Sequence, residues 1–284
     1  MAGEDQRIKK NDRRYQKTMY NQSPEEEKNL ALFIDFDNIA LGLRKDAKKK
    51  KFDIRLVLER LLEKGKIIVK KAYADWDQYP DYKKELHEAA IELIEIPKRQ
   101  MTGKNSADIR MVVDALDLCY AKEHLDTFVI FSGDSDFSPL VSKLRENNKS
   151  VIGMGLKNST SNLLVGNCDE FIFYDDLTRP SIGTPPALNK VPKEKKPAFE
   201  LLVSTVQALI RENKEVLYSS MIKDTMKRKE PSFDEGVYGY SSFGDFLLDA
   251  EKFGIIELTR DHHAGGTYVV TGFGKGNSNG KNGR

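Results

Sequence analysis

Two apolar runs in this chain end in acid. Phe33-Ile34-Asp35-Phe36-Asp37-Asn38 closes the first, and Phe131-Ser132-Gly133-Asp134-Ser135-Asp136-Phe137 closes another about a hundred residues later. Asp108 opens the amphipathic stretch between them. Carboxylates gathered in one cleft raise one another's pKa unless cations neutralise them. Oxygen ligands with an amide nearby, here Asn38, and no clustered His or Cys suit Mg²⁺ or Mn²⁺ rather than zinc. Such an ion acidifies a bound water and stabilises charge on a phosphodiester, so the chemistry expected is hydrolysis. The candidate ligands are Asp35, Asp108, Asp134 and Asp136.

Taken singly, each aspartate reads as a helix cap or turn residue, and Asp108, close after Ser106, would simply cap its helix. What joins them is the elements that must carry them. Short apolar runs at 30–35, 66–73, 93–97, 127–132, 150–155 and 170–174 alternate with amphipathic stretches at 54–63, 80–90, 107–122, 139–147 and 159–166. That alternation predicts a parallel sheet covered by helices. In the order 3-2-1-4-5, strands 1 and 4 are neighbours where the order reverses, and ligands bind beyond their carboxyl ends. Asp35 and Asp134 should therefore meet there, with Asp108 at the same edge. Asp114 lies about 240° further round its helix and roughly 9 Å along it, which predicts a supporting place.

The 284 residues, 39% hydrophobic and 32% charged, suffice for one large and one small domain. Net charge is +2, from 46 basic and 44 acidic residues, so nucleic-acid affinity must reside in local patches. Cys119 and Cys168 are expected to be free thiols. With no apolar leader at the N-terminus and no span-length apolar run, a cytoplasmic protein without membrane contact is expected. The organisation read from the sequence is a charged arm (1–28), an α/β domain (29–177), a Pro/Lys-rich linker (178–197), a small second domain (198–273) and a Gly/Asn-rich tail (274–284). The linker holds five of the ten prolines and five basic residues, which predicts an extended, solvated connector. Beyond it, helices at 199–211, 218–228 and 242–253 and a hairpin at 255–259 and 267–271 give the order of a winged helix.

Through LFIDFDNI, KNSADIRMVVDAL and FVIFSGDSDFSPLV, residues 30 to about 177 resemble the NYN domain, a branch of the PIN-like nucleases. The resemblance implies a PIN-like three-layer sandwich with a mainly parallel sheet, and cleavage of single-stranded RNA with Mg²⁺ or Mn²⁺. Its acidic positions fall on Asp35, Asp108, Asp134 and Asp136, and its amide position on Asn38. Asp37 stands outside that set. Residues 198 to about 273 are similar to the LOTUS domain, also called OST-HTH, through EPSFDEGVYGYSSFGDFLLDAEKFGIIEL. That likeness implies RNA binding, including G-rich or quadruplex RNA.

Acidic Asp245, Asp249 and Glu251 on the third helix make a DNA-groove recognition mode poor. The expected RNA contacts are Lys223, Lys227, Arg228 and Lys229 on the second helix, with Arg260, His262 and His263 on the wing. Lys98, Arg99 and Lys104 are expected beside the cleft, Lys104 positioning the substrate, and Ser132 is a candidate hydrogen-bond donor. Two other functions compete: a haloacid-dehalogenase-like phosphatase with Asp35 as nucleophile, and a non-catalytic RNA-binding scaffold. The oligomeric state is not legible in the sequence.

Overall fold

The computed structural model describes residues 27–45, 51–96, 106–178, 186–212, 214, 216–261 and 266–274. The expected arm and tail, the cleft-side Lys98, Arg99 and Lys104, and the wing-tip His262 and His263 thus fall wholly or almost wholly outside the described residues.

Six strands form one parallel sheet: β1 (Asn29–Asp35), β2 (Lys66–Ala74), β3 (Glu92–Glu95), β4 (Thr127–Phe131), β5 (Ser150–Gly155) and β6 (Glu170–Phe173). Their order is β3-β2-β1-β4-β5-β6, as expected, with β6 completing one edge. Every residue of β1 from Leu30 to Asp35 is buried because helices cover both faces, which explains its unbroken apolar run. Leu30, Leu32 and Ile34 face a core shared with α1 (Phe36–Lys45), α2 (Ile54–Leu62) and α3 (Pro80–Glu88). Ala31 and Phe33 face the opposite core, formed with α4 (Ser106–Ala121), α5 (Ser138–Glu146) and α6 (Asn162–Asn167). A one-turn helix, α7 (Tyr174–Leu177), follows β6.

The sequence reading lacks α1. It begins on the residue after β1 with no connecting turn, so the apolar run hides the boundary. The local chemistry elsewhere is ordinary: Asp53 and Ser161 cap α2 and α6, and prolines sit in the first turns of α3 and α5.

The C-terminal unit runs through a 3₁₀ turn (Pro186–Lys190), α8 (Lys196–Arg211), β7 (Leu217–Tyr218), α9 (Ser219–Lys229), α10 (Phe243–Lys252), β8 (Ile256–Asp261) and β9 (Thr267–Phe273). Its antiparallel sheet has the order β7-β9-β8. Phe199 and Phe246 stack at 5.0 Å in a core with Leu202, Val206, Ile222 and Leu247.

The connector differs from expectation. Ala187, Leu188 and Val191 are buried in this second core, so the chain packs well before residue 198. Prolines mark the segment as non-helical, but its three apolar side chains decide that it packs. Among the described residues, no helix is long and apolar enough to cross a membrane.

Candidate active site

The first acid, Asp35, is the last residue of β1, and Ser132 to Asp134 follow β4 directly. These strands are hydrogen-bonded neighbours, with Ile34 opposite Phe131. The ends of the two strands are stitched together. Ser132 Oγ donates to Asp35 Oδ2 at 2.8 Å and accepts from the Asp134 backbone N–H at 3.2 Å. The Asn38 backbone N–H donates to Asp35 Oδ1 at 3.2 Å, while Asn38 Oδ1 accepts from the Gly133 N–H at 3.0 Å. Asn38, in the first turn of α1, therefore ties that helix to the loop after β4 from a place beside the carboxylate.

Asp35 is only 5% exposed. Burial above all pushes its carboxyl up to about 7, and the charges of Asp108 and Asp37 add to this against the lowering pull of the Ser132 and Asn38 hydrogen bonds. Asp108, in the first turn of α4, is raised to about 6 by burial, then by Asp134, Asp136 and Asp37. The sequence-predicted acids thus share one electrostatic field. Asp134 also caps the short 3₁₀ helix Ser135–Phe137, its Oδ1 accepting from the Asp136 N–H at 3.0 Å, while its charge still acts on Asp108.

Two parts of the site differ from expectation. Asp37 belongs to the field, since it raises both Asp35 and Asp108, and the Tyr79 hydroxyl donates to its Oδ1 at 2.8 Å. No local signal links Tyr79 to Asp37, which is 42 residues away. Asp114, in turn, is engaged by Tyr73 Oη at 2.9 Å and Arg110 Nε at 3.0 Å, which ties α4 to β2.

The loop after β5 closes against the loop after β4. A Cβ on Gly133 would lie 2.4 Å from the Ser159 carbonyl oxygen, and the Ser161 N–H donates to the Gly133 carbonyl at 2.9 Å. Only a residue without a side chain fits there.

The donor set is all oxygen, strongly like-charged and partly desolvated, which fits a hard divalent cation. Among the described residues, however, no three acidic, His or Cys side chains close into a ready-made metal site. The carboxylates act on one another through their charges without forming a chelate among the described residues.

The expected RNA contacts divide. Lys227 and Arg260 are exposed, with the Arg260 guanidinium 5.0 Å over the Tyr268 ring. Lys223 pairs with Glu235 at 2.5 Å. Arg228 and Lys229 are turned inward instead: Arg228 Nε donates to the Leu62 carbonyl, and Lys229 pairs with Glu63. Arg228 and Lys229 read as part of a basic face in sequence because their acidic partners lie outside the C-terminal unit.

Residues 29–176 match the profile of the NYN domain. An uncharacterized protein of Methanocaldococcus jannaschii, MJ0482, is 32% identical over 146 residues, covering 51% of this chain and 55% of that protein. The chain thus spans about half the length of this relative. A protein of unknown function from Vibrio parahaemolyticus, VPA0982, known from a crystal structure, shares 23% identity at a TM-score of 0.48, over 55% of this chain and 98% of that one. Through residues 29–176, more than half of its length, the chain belongs to the NYN domain family, a branch of the PIN-like nucleases.

Proposed function

We propose that the protein is a Mg²⁺- or Mn²⁺-dependent ribonuclease that hydrolyses single-stranded RNA. The observation that carries this reading is the buried Asp35 carboxylate, fixed by the start of α1 and by the loop after β4 and sharing one field with Asp108, Asp134 and Asp136. These four aspartates would hold the ion. Bound there, it supplies an acidified water and charge stabilisation at the scissile phosphate. Ser132 and Asn38 keep the Asp35 oxygens in place, and Asp37, braced by Tyr79, adds negative charge beside them.

The C-terminal unit is read as a LOTUS-like winged helix that recruits RNA, G-rich or quadruplex RNA included. Its order of helix, strand, helix, helix and hairpin supports this, as does Asp234 capping the turn within the PSFDE segment. Lys227 and Arg260 are the accessible cations for phosphate or base contact, with Tyr268 a stacking surface under Arg260.

Incubating the protein with labelled RNA and DNA, with and without Mn²⁺, and reading product lengths tests the proposal. Metal-dependent shortening of RNA is expected. RNA bound but uncut would leave a scaffold, and phosphate released from a small monoester with RNA untouched would favour the phosphatase.

A further inference from the structure

The two units meet through a network of largely buried charges. Lys64 Nζ pairs with Glu170 at 2.7 Å and Glu212 at 2.6 Å, and Arg60 pairs with Glu63 at 2.6 Å and with Glu212. Lys229 reaches across to Glu63 at 3.3 Å. The side chains of Lys64, Glu63 and Lys229 are only 5–6% exposed. Burial would raise the Glu212 carboxyl, yet Lys64 and Arg60 hold it below its ordinary value. Each charge has a partner of opposite sign, and opening the contact would separate desolvated pairs that salt screens weakly.

The location of this contact is as informative as its chemistry. α2 starts near the carboxyl edge of the sheet, where the Asp53 N–H donates to the Tyr174 hydroxyl just past β6. It ends at the opposite edge, where the Lys66 N–H bonds the Lys28 carbonyl just before β1. Glu63 and Lys64 follow α2 at that edge, Glu170 begins β6 there, and Arg228 binds both the Leu62 carbonyl and Glu27. Asp35 ends β1, so the length of that strand, roughly 20 Å at ~3.3 Å per residue, separates the docking site from the acids.

We propose that the C-terminal unit is locked at the pole of the NYN domain opposite the carboxylates, and that the substrate is therefore a strand long enough to span the domain. This rests on the ribonuclease reading for its substrate part and on the ion pairs alone for its docking part. At the stacked spacing of 3.4 Å, at least about six nucleotides separate the anchored part of the RNA from the cut. Shorter oligonucleotides reach the acids without help from the second unit.

The test inserts about ten Gly and Ser residues between Gly183 and Thr184 and compares this protein with the unaltered one. Small-angle scattering reads docking without catalysis, and Mn²⁺-dependent cleavage of a ~5- and a ~20-nucleotide RNA reads the length requirement. A locked unit gives the same radius of gyration in both proteins, and in both the longer RNA is cut tenfold or more faster, in line with ordinary avidity gains. A radius that grows with the insertion overturns the docking. Equal cutting of both RNAs by two equally compact proteins overturns the length requirement. If neither protein cuts any RNA, the substrate part falls with the ribonuclease reading, while an unchanged radius upholds the docking.

Discussion

Ser132 Oγ lies 2.8 Å from Asp35 Oδ2 and donates a hydrogen bond to that oxygen, across the seam where the strand order of the sheet reverses. The bond offsets part of the burial that raises Asp35. Ser132→Ala removes it. An activity loss of about 10- to 100-fold is expected, the usual effect of deleting a group that orients a metal-binding carboxylate. The acidic limb of the pH–rate profile should also move to higher pH, because Asp35 then ionises less readily. An unchanged profile would show that Ser132 serves folding alone.

Asp35 also sets a pH dependence of stability. Its folded pKa of about 7 lies above the ordinary 3.8, so its contribution is fully present below about 3.8 and is lost as pH rises through about 7. Asp35→Asn abolishes that dependence. In metal-free protein, the substitution should matter little near pH 4 and become stabilising by on the order of 2–4 kcal/mol at pH 8. Denaturant melts of the two proteins at several pH values measure the gap, and a gap independent of pH would contradict the assignment.

Gly133→Ala places a methyl group against the Ser159 backbone. Backbone gives way less readily than a side-chain end, so a loss of roughly 1–3 kcal/mol is expected, with cleavage falling further than stability as Asp134 is displaced. Thermal melting and cleavage rates measured side by side check this. Wild-type values for both would mean that the β5–α6 loop does not constrain the site.

At the domain junction, Glu212→Gln removes one anionic partner from Lys64 and from Arg60 and leaves them Glu170 and Glu63. Because both cations keep an anionic partner, the loss is that of charge-assisted hydrogen bonds, about 1.5–3 kcal/mol. Because the Glu212 pKa is depressed by folding, its stabilisation is present above the ordinary 4.5 and is lost as pH falls through the lower folded value. The wild-type junction should therefore open only below pH 4.5, and the variant should be loosened already at neutral pH. Scattering against pH checks both, and identical curves would exclude Glu212 from the junction.

The sheet was legible because its central strands are buried on both faces: an apolar run such as Leu30–Ile34 has few other uses in a chain of this texture. From that order alone, Asp35 and Asp134 were brought to one edge. The helix after Asp35 was hidden because it begins without a turn, and β7 because it has two residues. The contributions of Tyr79 to Asp37 and of Glu63 to Lys229 are pairings between side chains 42 and 166 residues apart, which periodicity does not encode. The same blindness made Arg228 and Lys229 read as an RNA-facing patch.

The most direct measurement is Mn²⁺-stimulated cleavage of labelled single-stranded RNA by the wild-type protein, Asp35→Asn and Asp134→Asn, with circular dichroism confirming that all three fold. Metal-dependent cleavage by the wild type and none by either variant is the expected result. Cleavage that persists undiminished in both folded variants would contradict the site.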